Sequence, residues 1–226
     1  MKITQDIGIR ICGTGSSVPE RKISNDDMAT IVETNDEWIR TRTGISNRHF
    51  ADKETNLSLG MEAAEKALEM AGISKEEIGV VICATITPDN IVPSQACMLQ
   101  KELGLPETVF AFDICAACTG FLYAVHTARS LLCSMPEKKY ALVVASEVLS
   151  RVTNFADRNT CVLFGDGAGA AVITLDENSR YAFDCGAEGN TEVLYCPKYY
   201  HDTNPLAENL PELAEQFVSM QGRAVY

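Results

Sequence analysis

The 226 residues contain no apolar run long enough to cross a bilayer, which takes about 20 residues as a helix. The opening Met1-Lys2-Ile3-Thr4-Gln5-Asp6 has one lysine and no long apolar stretch behind it. A secretory signal is therefore not expected, and the cytoplasm is the expected compartment. Positive charge is also in short supply. Nineteen Lys and Arg stand against 31 Asp and Glu, a net charge of −12. Nucleic-acid surfaces need a basic footprint, so this balance argues against general nucleic-acid binding. It leaves room for an anionic small molecule held by a local cluster. The arginines do group, as Arg40, Arg42 and Arg48 and again as Arg151 and Arg158.

Other absences narrow the chemistry. The nine cysteines are odd in number and lie mostly in apolar runs, such as Cys83 and Cys161, which is not the framework of a small disulfide-stapled domain. Most read as buried reduced thiols. Cys115-x-x-Cys118 has no second CxxC to complete a zinc site, so no metal is expected. The glycine-rich Phe164-Gly165-Asp166-Gly167-Ala168-Gly169-Ala170 lacks the lysine of a P-loop and does not open a helix. It reads as a close-packed turn rather than a phosphate cradle.

What is present is an ordinary globular composition, 46% hydrophobic and 22% charged, long enough for one large domain or two small ones. Strand and helix patterns alternate. Short apolar runs predict strands at 8–13, 80–85, 109–114, 140–146 and 167–175, the first ending in a turn at Thr14-Gly15-Ser16-Ser17. Helical spacing predicts helices from Ser24 to about Glu33, over 57–71, from Pro93 to Gly104, and from Cys118 to Cys133. This order predicts an α/β fold with a mixed, mainly parallel five-stranded sheet and helices on both faces. After Asp176 the chain turns polar, so residues 1–176 read as one domain and 177–226 as an excursion containing Tyr199, Tyr200 and His201.

The sharpest local pattern is Asp113-Ile114-Cys115-Ala116-Ala117-Cys118-Thr119-Gly120-Phe121. A strand runs through small residues into a helix that begins at Cys118. A cysteine there faces the positive end of the helix dipole and free backbone N–H groups. Both favour the nucleophilic thiolate, and the same N–H groups suit an oxyanion. Spacing alone leaves three readings open: a nucleophile, a redox pair with Cys115, and inert core thiols. The single tryptophan, Trp38, lies among arginines in a stretch too polar for a core. It reads either as a half-buried ring with solvated arginines or as an aromatic face for an adenine, with cations for its phosphates.

Five segments taken in order resemble the β-ketoacyl-acyl carrier protein synthase III family of thiolase-fold condensing enzymes. They are Asp36-Glu37-Trp38-Ile39 with Arg42-Thr43-Gly44-Ile45; Pro93-Ser94-Gln95-Ala96-Cys97; Cys115 to Phe121; Asp157-Arg158-Asn159-Thr160; and Phe164 to Ala170. The resemblance implies the first of the two thiolase halves. It also implies ping-pong acyl transfer that begins fatty-acid synthesis, in which Cys118 takes an acyl group from a coenzyme A thioester. Malonyl-acyl carrier protein then loses carbon dioxide and attacks that group. No cofactor is implied beyond the coenzyme A thioester as substrate, and the implied assembly is a homodimer. Trp38 and Arg158 match the residues that sandwich the adenine, Arg42 the one that helps hold the phosphate-bearing portion, and Thr34 one near the adenine. Val92 matches a position lining the acyl pocket across the dimer interface.

The family's second half carries a His-Gln-Ala-Asn motif and a catalytic Asn, and neither occurs in these residues. His49, His126 and His201 match no family motif and are expected to be structural or surface residues. The ending at Tyr226 matches the point where the second half would start, so about a third of the enzyme is expected to be absent. Taken alone, these residues are expected to bind coenzyme A weakly and acylate Cys118 without condensing. The alternative is a non-catalytic thiolase half serving as a dimerising or binding module. In either case the helix after Cys118 is expected to leave an apolar face uncovered.

Overall fold

The structure is a computed structural model that describes residues 2–5, 7–196 and 217–225. His201 and the tyrosines beside it lie outside the described residues. In chain order the elements begin β1 (Lys2–Gln5), β2 (Gly8–Ser17), β3 (Lys22–Ser24), α1 (Asn25–Ala29), α2 (Asp36–Thr43), β4 (Asn47–His49), α3 (Asn56–Ala71), β5 (Ile78–Ala84) and α4 (Gln95–Glu102). They continue with β6 (Phe110–Ile114), α5 (Gly120–Leu132), β7 (Tyr140–Val148), α6 (Arg158–Cys161), β8 (Asp166–Asp176), β9 (Tyr181–Asp184), β10 (Leu194–Tyr195), β11 (Ser219–Met220) and α7 (Gly222–Val225).

Contacts divide the chain into two compact units that interleave along the sequence. The first holds Met1–Lys22, His49–Val148 and Asp166–Gly186; the second holds Ile23–Arg48, Leu149–Gly165 and Ala187–Tyr226. Composition changes once along the chain, after Asp176.

The first unit is built on a five-stranded sheet in the order β2-β8-β7-β5-β6. β5 pairs in parallel with β6 and β7, while β8 runs antiparallel to both β7 and β2. Four of the five strands therefore point the same way, as the alternating pattern predicts. The central strands are apolar throughout because both faces are covered. Val81, Cys83, Leu142, Val144 and Val172 face α3 and α4, while Val80, Ile82, Val143 and Ile173 face Ala124, Ala128 and Leu132 of α5. Each large aliphatic side chain buried this way contributes about 1.5–3 kcal/mol.

Several boundaries differ from the sequence reading, each for a local reason. β2 does not turn at Thr14 but continues to Ser17, past a register shift between Ile11 and Gly13. Its glycines serve close packing rather than a turn: a Cβ on Gly13 would lie 2.2 Å from the Ala67 carbonyl oxygen of α3. Gly167 and Gly169 likewise lie inside β8, in the strand expected at 167–175 rather than in a close-packed turn, and pair with Glu147 of β7 and Ser16 of β2. The Ser24 capping box with Asp27 forms, but α1 stops at Ala29. α4 begins at Gln95 under a Ser94 cap, two residues after Pro93. α2 was not anticipated, because its eight residues bury only Ile39 and carry no apolar stripe to read.

The apolar surface expected on the helix after Cys118 is present in part. Leu122 is 58% exposed and Phe110, on the edge strand β6, is 53% exposed. Phe121 and Val125 are half-buried.

Candidate functional site

Cys118 lies in a single 3-10 turn, Ala117–Thr119, between β6 and α5. The helix thus starts two residues later than expected, at Gly120, and the thiol precedes its first turn. Ala117 has φ 44, the one left-handed non-glycine residue among those described. Such a conformation costs a non-glycine residue free energy and is held by its surroundings. The sequence of small residues permits this sharp corner: at Gly120 a Cβ would come 3.2 Å from Ala84 Cβ of β5.

Cys118 and Cys115 are both exposed, whereas Cys83 and Cys161 are buried. Burial, with Asp113 nearby, pushes the Cys83 thiol well up and keeps it inert. The start of α5 also differs from its neighbours. α2, α3 and α4 begin under side-chain caps from Asn35, Thr55 and Ser94, while Thr119 gives α5 none. The Thr119 hydroxyl instead donates back to the Ala116 carbonyl at 2.9 Å. The Gly120 N–H donates to the Ala117 carbonyl, and no side-chain cap takes up the leading N–H groups that follow it, two residues after the exposed thiol.

The same ends of β5, β6 and β7 carry a buried polar network that the sequence did not reveal. Asn56, fully buried, donates from Nδ2 to Thr85 Oγ1 at 3.0 Å, the Thr87 carbonyl at 3.0 Å and the Ser146 carbonyl at 2.7 Å. The Glu147 carboxylate accepts from the Ile86 and Thr87 N–H groups at 2.8 and 3.1 Å and from both threonine hydroxyls. Burial raises Glu147 above the usual carboxylate range, against those hydrogen bonds. Asp113 accepts from the Gln95 and Ala96 N–H groups, both at 2.7 Å, tying the end of β6 to the start of α4. Burial raises it as well. The only sequence signal for Glu147 was a carboxylate ending an apolar strand.

In the second unit, α2 and α6 bring together the residues expected to hold an adenine nucleotide. The Arg42 guanidinium carbon lies 4.5 Å from the centre of the Trp38 ring and that of Arg158 lies 4.9 Å from it. Arg158 also donates to the Glu33 carbonyl at 3.2 Å, and Arg42 to the Trp38 carbonyl at 3.4 Å. Trp38, Arg42, Asn159, Val162, Leu163 and Met220 line an open pocket of about 640 Å³. A planar ring between Trp38 and Arg158 needs two stacking gaps, about 7 Å in all, so Arg158 must swing outward to admit one. Thr34 does not join this lining; its hydroxyl is buried with no hydrogen-bond partner among the described residues. Asn159 was within reach of sequence reading, since it sits inside the Asp157-Arg158-Asn159-Thr160 segment. Met220, 58 residues beyond Val162, was not.

The remaining expected residues are placed as follows. Arg40 pairs with Asp36 at 3.5 Å on the surface, and Arg48 is buried, so the three neighbouring arginines do not form one cluster. Val92 is 84% exposed in the loop between β5 and α4. His49 shares a 2.6 Å contact with the Pro19 carbonyl. His126 stacks on Phe183 at 4.2 Å between ring centres, and burial holds it below its ordinary value. Among the described residues no group of three or more His, Cys, Asp or Glu could hold a metal, and no helix is long and apolar enough to cross a membrane.

This arrangement has counterparts among known proteins. The family model for 3-oxoacyl-[acyl-carrier-protein (ACP)] synthase III matches residues 112–189, the stretch that contains the Cys118 corner. The chain is 44% identical over 220 residues to the β-ketoacyl-[acyl-carrier-protein] synthase III of Clostridium acetobutylicum, covering 96% of this chain and 66% of the relative. It is 41% identical over 230 residues to that of Clostridium perfringens, covering 96% and 67%. The crystal structure of 3-oxoacyl-[acyl-carrier-protein] synthase III from Aquifex aeolicus superposes with a TM-score of 0.78 at 40% identity, over 96% of this chain and 66% of that one. The Thermus thermophilus structure of a β-ketoacyl-[acyl carrier protein] synthase III gives 0.76 at 34% identity, over 95% of this chain and 66% of that one. The chain thus spans about two thirds of the length of the relatives it matches. The mixed sheet with helices on both faces is the thiolase-like architecture of these structures. With the fold, the corner at Cys118 and relatives above 40% identity in agreement, this chain belongs to the β-ketoacyl-acyl carrier protein synthase III family.

Proposed function

We propose that this chain performs the acyl-accepting half of a decarboxylative condensation that initiates fatty-acid synthesis. Cys118 attacks the carbonyl of a short acyl-coenzyme A; its sulfur forms a new thioester, and coenzyme A leaves as the thiol after taking up a proton. Leading N–H groups of α5 stabilise the oxyanion of the tetrahedral intermediate. Trp38 offers a face to the adenine, Arg158 swings out to cover its other side, and Arg42 neutralises phosphate. Malonyl-acyl carrier protein is the second substrate, and a homodimer is the working assembly. No cofactor beyond the coenzyme A thioester is needed. The His-Gln-Ala-Asn motif that would handle the malonyl group in this family is not among these residues, so acylation of Cys118 is the step proposed for them.

The observation that carries this reading is the exposed thiol of Cys118, held after a left-handed alanine at the uncapped start of α5. A thiol serving only to pack a core has no need of that corner. Incubation with labelled acetyl-coenzyme A is the test. Stable label that is lost in Cys118→Ala and kept in Cys115→Ala supports the reading. Absence of label in the native chain favours the second reading, a thiolase half that binds or dimerises without turnover, to which the exposed Leu122 and Phe110 lend support.

A further inference from the structure

Arg48 has the burial of a core residue and the charge of a surface one. It is 5% exposed, and among the described residues no carboxylate pairs with it. A buried charge without an ion partner needs several oriented acceptors. Arg48 finds three. Its Nη1 donates to the Ile23 carbonyl at 3.5 Å, and its Nη2 donates to Asn25 Oδ1 at 2.8 Å and to the Val162 carbonyl at 3.2 Å. Asn25, 1% exposed, passes the connection on: its Nδ2 donates to Asp36 Oδ1 and to the Ile45 carbonyl, both at 2.8 Å. The partners fix the amide's orientation, because only its oxygen can face a guanidinium and only its nitrogen a carboxylate.

Both branches end at the Trp38 platform. Asp36 is the first residue of α2, which carries Trp38 and Arg42 two and six positions on. Val162 directly follows α6, whose first residue is Arg158. One buried guanidinium therefore ties together the two segments that must keep a ring and two cations in register, and all of these residues belong to the second compact unit. We propose that Arg48 and Asn25 are positioning residues that hold α2 and α6 in register, so that Trp38, Arg42 and Arg158 form one binding surface for the nucleotide end of a coenzyme A thioester. The inference rests on the function proposed above for that surface.

Because Trp38 is the only tryptophan, its fluorescence reports on the platform alone. Asn25→Asp keeps an acceptor for Arg48 but sets a carboxylate against Asp36 and the Ile45 carbonyl, cutting the branch to α2. Pairing it with Asp36→Asn returns a donor to that contact with reversed polarity. The full chain, wild type and variants, is titrated with acetyl-coenzyme A while Trp38 emission is followed. The rate of Cys118 alkylation by iodoacetamide and the melting midpoint are measured alongside. Asn25→Asp is expected to weaken binding about tenfold, the worth of one charge-assisted hydrogen bond, and to shift Trp38 emission. Cys118 alkylation should stay at the wild-type rate, and Asn25→Asp/Asp36→Asn should recover most of the affinity. A merely structural role would lower stability without rescue and slow or speed both sites together.

Wild-type affinity and unchanged Trp38 emission in Asn25→Asp overturn the proposal, as does a loss that the paired change fails to restore. If Asn25→Asp does not fold, Asn25→Gln, which misplaces the amide by one methylene, takes its place, and wild-type affinity with unchanged Trp38 emission in that variant overturns the proposal. If the wild type and Trp38→Ala are alike in failing to bind acetyl-coenzyme A, the reading of the surface has failed instead. The emission shift and its rescue then still decide whether the relay orders Trp38.

Discussion

Gly15→Ala is the substitution on which strand packing and turn chemistry disagree most. If residues 14–17 formed an exposed turn, one methyl group at a residue without positive φ would matter little. In the structure Gly15 is pressed onto α3, and its Cβ would lie 2.1 Å from the Ala63 carbonyl oxygen, 2.7 Å from the Ala67 nitrogen and 2.7 Å from Lys66 Cβ. Two of those atoms are backbone, so relief requires the helix to retreat by on the order of 1 Å to reach normal contact. That retreat opens the interface in which Ala63, Ala64 and Ala67 are fully buried. Overpacking costs typically about 1–3 kcal/mol, and a backbone obstacle puts Gly15 near the top of that span. At roughly 2–4 °C per kcal/mol for a chain of this size, the melting midpoint should fall by about 6–12 °C. Gly169→Ala is the matched control. It lies on the neighbouring strand opposite Ser16 with nothing within 4 Å of its Cβ, so it should be neutral or gain up to about 1 kcal/mol. Thermal unfolding followed by circular dichroism measures both. A Gly15→Ala midpoint within about 2 °C of wild type would refute the reasoning, since the methyl group would then have found room.

Asn56→Ala should destabilise by about 3 kcal/mol in urea unfolding, because the buried Thr87 and Ser146 carbonyls lose their donor; a cost under about 1 kcal/mol contradicts this. Asp113 and Glu147 are both raised by burial, so the folded state holds their protons more tightly than the unfolded state. Their contribution is fully present below the ordinary carboxylate value and is lost as pH rises through the raised folded values. Wild type should therefore lose stability relative to Asp113→Asn as pH rises through that window, and a wild type that gains on the variant over the same window would contradict the sign. Trp38→Ala and Arg42→Met should each weaken coenzyme A binding about tenfold or more, read by calorimetry, without slowing Cys118 alkylation. Equal affinity in either variant removes that residue from the binding surface.

The sheet was legible because its strands are fully buried on both faces: Ile78–Ala84 reads as apolar without a break. α3 was legible for the complementary reason, an apolar stripe closed by Gly72 in the left-handed conformation. α2 was not, since Asn35 at its cap and Gly44 at its end were the signals, and the polar residues between hid them. Gly15 misled because a glycine needed for close helix approach is spelled like a glycine needed for a turn. At the site, Cys118 could be singled out from its small neighbours, but the left-handed Ala117 and the missing cap on α5 are backbone properties that no residue name encodes. Arg48 illustrates the same limit. Next to Arg40 and Arg42 in sequence it reads as surface charge, and only its long-range contacts to Ile23 and Val162 show it to be an internal tie.

The central claim is that Cys118, and not Cys115, accepts the acyl group. The most direct measurement is tandem mass spectrometry of the peptide spanning both cysteines after incubation with acetyl-coenzyme A, with released coenzyme A quantified chromatographically. The account predicts one acetyl group on Cys118 sulfur for each coenzyme A released, with Cys115 unmodified. An acetyl group on Cys115, or coenzyme A release with no modified peptide, would contradict it.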